Sequence, residues 1–419
     1  MLVLLGIVLF IVGLLASIAL HEVGHMVPAK KFGVRVSEYF VGFGPTLWSR
    51  QGKETEYGIK AIPLGGYVKL VGMMPPEEAV KPVRGHGRIA RLIADTRAAA
   101  VEEIREGEDH RAFYHLTWWR KVIVMFGGPV VNLIIAVVLF TIVGMGVGSF
   151  EPTTTVGAVA KCVPSQVTAE CTAADPASPA SQAGLQEGDV FVSVDGTPVA
   201  SWEETTAVIA ANPDATVPVV VARDGENVEL TVTLASATRD GKEVGYLGVI
   251  PTSELVKQGP LSGVTRTAEL TGAVASVIAT LPQHVYHAAL AAVGVEERSA
   301  DSVIGIVGVG RISGEIVASD IEGYDAKLKT ADMLNLLAGL NLALFAFNMI
   351  PLVPLDGGHI ASALWQGIKN GWARVRRLPK PSPVDVARMM PLAYGVFGLL
   401  ILMGVVLIVA DIVAPVSVS

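Results

Sequence analysis

The chain has only two cysteines, Cys162 and Cys171, in 419 residues. Their spacing is neither that of a zinc ribbon nor that of a CxxC redox pair, which excludes those two chemistries. Eight residues separate them. They form a disulfide if the segment lies outside the cytoplasm, and are two free thiols otherwise. Charge is also scarce: Asp, Glu, Lys and Arg make up 17% of the residues, with a net charge of -7. That balance gives no basic surface for a nucleic acid, and none is expected as a partner. No Lys or Arg precedes Lys30, so the apolar N-terminal run lacks the basic flank of a signal peptide. No internal repeat is found, which argues against a transporter built from paired halves.

Apolar residues are abundant instead, at 51% of the chain, with a mean hydropathy of +0.51. They gather in four long runs, at 1–27, 121–147, 333–355 and 391–414. Each is long enough to cross a bilayer as a helix. Lys30, Lys31 and Arg35 follow the first run, and Lys and Arg are frequent at 84–105 and 369–388. By the positive-inside rule these stretches are cytoplasmic, and both termini lie outside. Trp118-Trp119-Arg120-Lys121 opens the second run as an interfacial anchor.

The segments between the runs differ in character. Residues 36–72 read as short strands punctuated by Gly42, Gly44, Pro45, Gly65 and Gly66. Near a membrane helix, a strand edge there would hold an extended peptide; the alternative is a small sheet that only packs. Within 74–119, residues 90–106 have the composition of a solvated helix. Residues 150–250 alternate strands at 190–194, 217–222 and 228–234 with a helix at 202–210. Residues 251–330 suit amphipathic helices on the outer surface. His284 and His287 in that stretch read as exposed histidines.

The chemistry concentrates at the end of the first run, His21-Glu22-Val23-Gly24-His25. Residues four apart share a helical face, so HExxH presents two imidazoles to one metal ion. An ionisable group inside a bilayer costs about 2.5–3.5 kcal/mol on insertion scales and marks a functional site. Catalytic zinc takes three protein ligands and keeps one open position, so a third ligand comes from elsewhere. Asp356, in Leu355-Asp356-Gly357-Gly358-His359 at the end of the third run, lies at a similar depth to His21 and is the candidate. Glu22 is placed as the general base. Asn132, in Gly127-Gly128-Pro129-Val130-Val131-Asn132, reaches the same level. It either bonds a neighbouring helix or faces the site. Asn348, before Pro351, either stabilises an oxyanion and holds substrate backbone, or caps a broken helix. His359 is either a partner of the metal ligands or a residue at the helix mouth.

HEVGH, FGGPVVN and NMIPLVPLDGG, in this order with AGLQEGD…VDG between the second and third, resemble the signatures of the site-2 proteases, the intramembrane zinc metalloproteases. The likeness is to the RseP-type branch, and to its actinobacterial members with a single PDZ domain. The segment Ile304–Val309 only loosely matches a GPIGI-like stretch of that family. The resemblance implies an α-helical membrane protein: four transmembrane helices, a membrane-associated β region and an inserted α+β PDZ domain. The boundaries expected are 1–30 for the first transmembrane helix, 36–72 for the β-hairpin region, 74–119 for a cytoplasmic segment and 120–148 for the second helix. The PDZ domain takes 150–250, an amphipathic region 251–330, the third helix with LDGG 331–365, a cytoplasmic loop 366–389 and the fourth helix 390–414.

It further implies one zinc ion held by His21, His25 and Asp356, with Glu22 as base. Asn348, Asn132, Tyr67 and Val68 would contact substrate. The substrates implied are single-span membrane proteins such as anti-sigma factors already trimmed by a site-1 protease, with the PDZ domain touching the substrate ectodomain or C-terminus. The enzyme would sit in the bacterial plasma membrane with its active site near the cytoplasmic side. Two readings compete: a catalytically dead PDZ adaptor, which would have lost a ligand or the base, and an ion transporter, which would show repeats.

Overall fold

The computed structural model describes residues 1–80, 87–162, 176–239, 242–299 and 302–416. The chain divides into two compact units, Met1–Met145 with Gly259–Ser419, and Gly146–Gln258.

The first unit begins with α1 (Leu2–Lys31). Two long strands follow, β1 (Val36–Gln51) and β2 (Glu56–Leu70), then α2 (Arg88–Glu102) and α3 (Trp118–Gly146). β1 and β2 pair antiparallel, but with repeated register shifts. Glu38–Val41 therefore has partners on two sides: Gly66–Lys69 and Glu56–Ile59. The short strands expected at 36–72 merge into two bent ones, because positive-φ glycines at Gly42, Gly44 and Gly65 let the backbone turn without ending the pairing.

The second unit contains β3 (Ser149–Val159), α4 (Pro179–Gln182), β4 (Val190–Val194), β5 (Thr197–Pro198) and α5 (Trp202–Ala210). It continues with β6 (Thr216–Arg223), β7 (Glu226–Thr233), β8 (Ala235–Arg239), β9 (Lys242–Tyr246) and β10 (Val249–Val256). One sheet has the order β10-β3-β4-β6-β7, with β5 on β4; β8 and β9 form a separate pair. The alternation in β6 buries Val217, Val219 and Val221 against Phe191, Ile209 and Val232. Asp195-Gly196 and Asp224-Gly225 both have positive φ and close tight turns. Ser201 caps α5 by accepting from the Glu204 amide, and Glu204 returns the bond to the Ala200 amide. Cys162 is buried and is not a free thiol. Its expected partner Cys171 lies outside the described residues.

The first unit resumes with α6 (Ser262–Ala279), α7 (Leu281–Ala292), α8 (Ile306–Ala318), α9 (Ala326–Asn348), α10 (Asp356–Val375) and α11 (Met390–Val413). Among the described residues four helical stretches are long and apolar enough to cross a membrane: Leu2–Lys31, Trp118–Gly146, Ala326–Asn348 and Val386–Val413. Three expectations are corrected here. The stretch 331–365 is not one helix. α9 stops at Asn348, and Pro351 and Pro354 prevent continuation, so Asp356 opens a new helix. The loop expected at 366–389 is helical to Val375, the end of α10, which Gly357 and Gly358 help to open. They sit in the first turn of α10, pressed against the backbone of Met349–Val353, where a Cβ would clash. The 251–330 region is more than surface helices. Leu270 and Val274 of α6 pack on Ala136, Phe140, Ala338 and Leu342. α8 lies against α1, where Gly6 meets Ser313 and Gly314.

The segment 74–119 is likewise more than a solvated helix. Ile93 and Arg97 of α2 are buried, and Arg97 donates to Asp385 at 2.7 Å, just before α11. A second buried ion pair joins Arg298 to Asp411 of α11 at 2.9 Å, with the Gly308 amide on the same carboxylate. His287 pairs with Glu296 at 2.9 Å, an ordinary surface contact.

In the second unit Asp189 is buried and receives Arg223 at 2.7 Å. The hydrogen bond and charge of Arg223, with the Gln186 amide, hold its carboxyl below the usual range. A lowered folded-state pKa contributes stability that is present above the unfolded value of about 3.9 and lost as pH falls through the folded value. Amide hydrogen exchange at Val190–Val194 should therefore stay protected from neutrality to about pH 4 and weaken below it. Asp189→Asn should show reduced protection at neutrality and a flatter dependence on acid.

Candidate active site

His21, Glu22 and His25 occupy the penultimate turns of α1. Their surroundings are set by α3. Gly24 and Gly127 meet backbone to backbone, so α1 and α3 approach as closely as two helices can. A Cβ on Gly128 would collide with Nε2 of both His25 and His21. One turn earlier on α3, the Val124 carbonyl lies 2.8 Å from His25 Nδ1. An Nδ1–H donated to that carbonyl leaves Nε2 with its lone pair towards the site.

The third group arrives from α10. Asp356 Oδ2 lies 3.4 Å from His21 Nε2 and 3.3 Å from His25 Nε2, and the two Nε2 atoms are 3.2 Å apart. Among the described residues these three form the one group able to share a metal ion. Their chemistry and spacing fit zinc. A Zn–N distance of about 2.0–2.1 Å places two ligands of a tetrahedral ion about 3.3 Å apart, which matches all three separations. Asp356 Oδ2 is buried with no hydrogen-bond donor, an acceptor that a cation would satisfy.

Glu22 is buried between the cluster and the β hairpin. A Cβ on Gly66 would lie 3.2 Å from Glu22 Cγ. The strand segment that carries Tyr67 and Val68 thus borders the residue read as the base. Tyr67 itself points elsewhere: its hydroxyl donates to Glu38 at 2.7 Å, and its ring stacks on Phe40. Burial, then the bond and charge of Glu38, push the phenol above its usual range.

The asparagines divide differently from expectation. The amide that bonds across helices is Asn341 of α9, fully buried and donating to Ser17 Oγ at 3.0 Å. Sequence reading missed it; the available signal was Ser17, one turn before His21 on the same face. Asn132 is also buried, but its Oδ1 has no partner, against the interhelical bond that was one of its two readings. Asn348 ends α9 and forms no side-chain hydrogen bond among the described residues. Gly13 meets Leu337 and Ser17 meets Asn341. Continuing that register brings Asn348 level with Gly24 and His25. His359 lies one turn beyond Asp356 and lines a small cavity of about 30 Å³ with Lys121, Ser362 and Gln366.

Gly128→Val should abolish zinc binding while leaving helical content intact, because the new side chain takes the space of the imidazoles. Metal analysis and circular dichroism of the purified variant check this.

Known proteins bear on the same residues. The sequence profile of Peptidase family M50 matches residues 9–379. The zinc metalloprotease Rip1 of Mycobacterium tuberculosis is 36% identical, over 98% of each chain. The metalloprotease MmpA of Caulobacter vibrioides is 26% identical, over 88% of this chain and 87% of its own. The zinc metalloprotease RasP of Bacillus licheniformis is 25% identical, over 84% and 87%. With a profile match across most of its length, and a His-His-Asp group that suits zinc among helices able to span a bilayer, this chain belongs to peptidase family M50, the site-2 proteases, and is a multi-pass membrane zinc metalloprotease.

Proposed function

We propose that the chain is an intramembrane endopeptidase that cuts the transmembrane segment of single-span membrane proteins. The observation that carries this reading is the His21–His25–Asp356 triangle with Glu22 beside it and a strand edge next to Glu22. In this reading His21, His25 and Asp356 hold the zinc. When bound, zinc supplies Lewis acidity and makes water a nucleophile near neutral pH.

The chain's own groups do the rest. Glu22 takes the proton of the attacking water and returns it to the leaving amine. Its carboxylate is buried between the two imidazoles and the hairpin. The Val124 carbonyl fixes the ring of His25. The substrate must leave its helix to expose an amide, since helical backbone groups are already bonded to one another. The 66–70 edge supports capture of that unwound segment by strand addition, with Val68 nearest the base. Tyr67 contributes through its stacked ring, which braces the hairpin. Asn348, unbonded and level with His25, is proposed to hold substrate backbone or the developing oxyanion. Asn132, with its orphan carbonyl, is proposed to meet a substrate amide.

The second unit is proposed to be a single PDZ domain. Its support is the AGLQEGD…VDG wording and the strand and helix order of β4, α5, β6 and β7. It would contact the ectodomain or C-terminus of the substrate, outside the cytoplasm. The natural substrates proposed are anti-sigma factors trimmed beforehand by a site-1 protease. Lys30, Lys31 and the basic run 369–388 support an inner active site and outer termini.

Reconstituted with a tagged, pre-trimmed single-span substrate, Glu22→Gln should keep its zinc and lose cleavage by roughly 10²–10⁴-fold. His21→Ala should lose both zinc and cleavage. Equal cleavage by wild type and Glu22→Gln would sink the proposal, and a dead adaptor would show no cleavage by either.

A further inference from the structure

The helix that delivers Asp356 has a second apolar face that is exposed among the described residues, with the Arg376 guanidinium lying over its Trp372 ring at 4.5 Å. One face of α10 packs inward through Ile360, Ala363, Gln366 and Ala373. On the opposite side Leu364, Trp365, Ile368, Trp372 and Val375 form an exposed stripe, with Trp365 56%, Ile368 61% and Trp372 59% accessible. Helical spacing brings these five onto one arc. α10 is not among the helices apolar enough to span a membrane, so this stripe needs another explanation.

Its depth is fixed by neighbours. The Trp118 ring packs against Gly367 of α10. Trp118 and Trp119 open α3, and the Trp119 ring meets Phe32, the residue after α1, at 5.8 Å. Arg120 lies over both the Phe32 and Trp119 rings. The middle of α10 therefore sits at the membrane face where α1 ends and α3 begins. That face is also where tryptophan and arginine are expected to collect.

Charge flanks the stripe. Lys369, Arg374, Arg376, Arg377 and Lys380 fall within residues 369–380, with no acidic residue between them. Arg374, Arg376, Arg377 and Lys380 are exposed and have no acidic partner among the described residues. Along one flank a cavity of about 570 Å³ is lined by Trp118, Asn370, Arg374, Leu378 and Lys380. Two cations, an amide and an indole thus line one cavity beside the apolar stripe.

We infer that α10 is an in-plane interfacial helix whose Trp118–Arg374–Lys380 pocket binds the headgroup phosphate of an anionic phospholipid, with Trp365, Ile368 and Trp372 in the acyl region. An apolar face with basic edges is the arrangement that binds anionic membrane surfaces. The lipid would hold the outer side of the helix whose first residue is Asp356. The inference rests on the chain being a membrane protein, not on its proteolytic activity.

The test uses full-length protein in nanodiscs and needs no substrate. In discs of phosphatidylcholine with brominated phosphatidylglycerol, wild-type tryptophan fluorescence should be quenched, and Trp365→Phe/Trp372→Phe should lose a part of that quenching, the remainder coming from interfacial Trp118 and Trp119; unchanged quenching would overturn the proposal. By native mass spectrometry, wild type should retain phosphatidylglycerol over phosphatidylcholine. Arg374→Gln/Lys380→Gln should bind it about 25-fold more weakly, at about fivefold per cation removed, with zinc content unchanged as the check on folding. Equal retention of both lipids would overturn the proposal. So would displacement by inorganic phosphate or glycerol phosphate alone, which would mark a free-anion site. Quenching of Trp365 and Trp372 by iodide from water, or cross-linking of Trp372→Cys to a second copy, would assign the stripe to solvent or to a dimer instead.

Discussion

The first unit depends on one contact, the backbone approach of Gly24 and Gly127. Any side chain at either position would push α1 and α3 apart. At the distance the glycines allow, Gly128 leaves room for two imidazoles, and the Val124 carbonyl reaches His25. The metal cluster is thus a consequence of how near two helices can come. In a bilayer, where lipid is as apolar as leucine, small residues are what make such an approach favourable. The neighbouring core of Ala29, Val36, Leu70, Phe113, Val124 and Ile360 ties the end of α1 to the hairpin, to α3 and to α10.

The same constraint gives each remaining element a place. A helix running on through Asn348 would carry Asp356 past the site, so the proline-broken stretch after α9 is what turns it back. Gly357 and Gly358 then let the first turn of α10 lie on the backbone of Met349–Val353. The hairpin packs Gly66 against Glu22, so this carboxylate and the strand edge are neighbours. Amphipathic α10 carries Asp356 in its first turn and an exposed apolar stripe further along.

Buried polar groups away from the site do structural work. The Arg97–Asp385 and Arg298–Asp411 pairs hold the two ends of α11, at a desolvation cost that only good geometry offsets. Ser17 and Asn341 set the register of α1 against α9. That register then carries Asn348 to the level of His25.

Sequence alone determined whatever a local period or a forbidden residue dictates. The 3.6-residue helix puts His21 and His25 on one face, and apolar length defines the spans. Asp195-Gly196 and Asp224-Gly225 mark turns because a left-handed backbone is cheap there. Glu22 and Asp356 were legible because carboxylates are costly at membrane depth. Tertiary structure decided what no local rule reaches. It made one bent hairpin of four short strand signals, since pairing partners lie far apart in the chain. It extended α10 through two glycines, because close packing rather than turning required them. Among the described residues it left the Asn132 Oδ1 without a partner and gave the interhelical bond to the side-chain amide of Asn341, a residue of the same type. It also turned α2 and α8 inward, through Arg97 and through Gly314. A charge and a glycine reveal their partners only once the chain is folded, because a contact depends on both surfaces and a sequence shows one at a time.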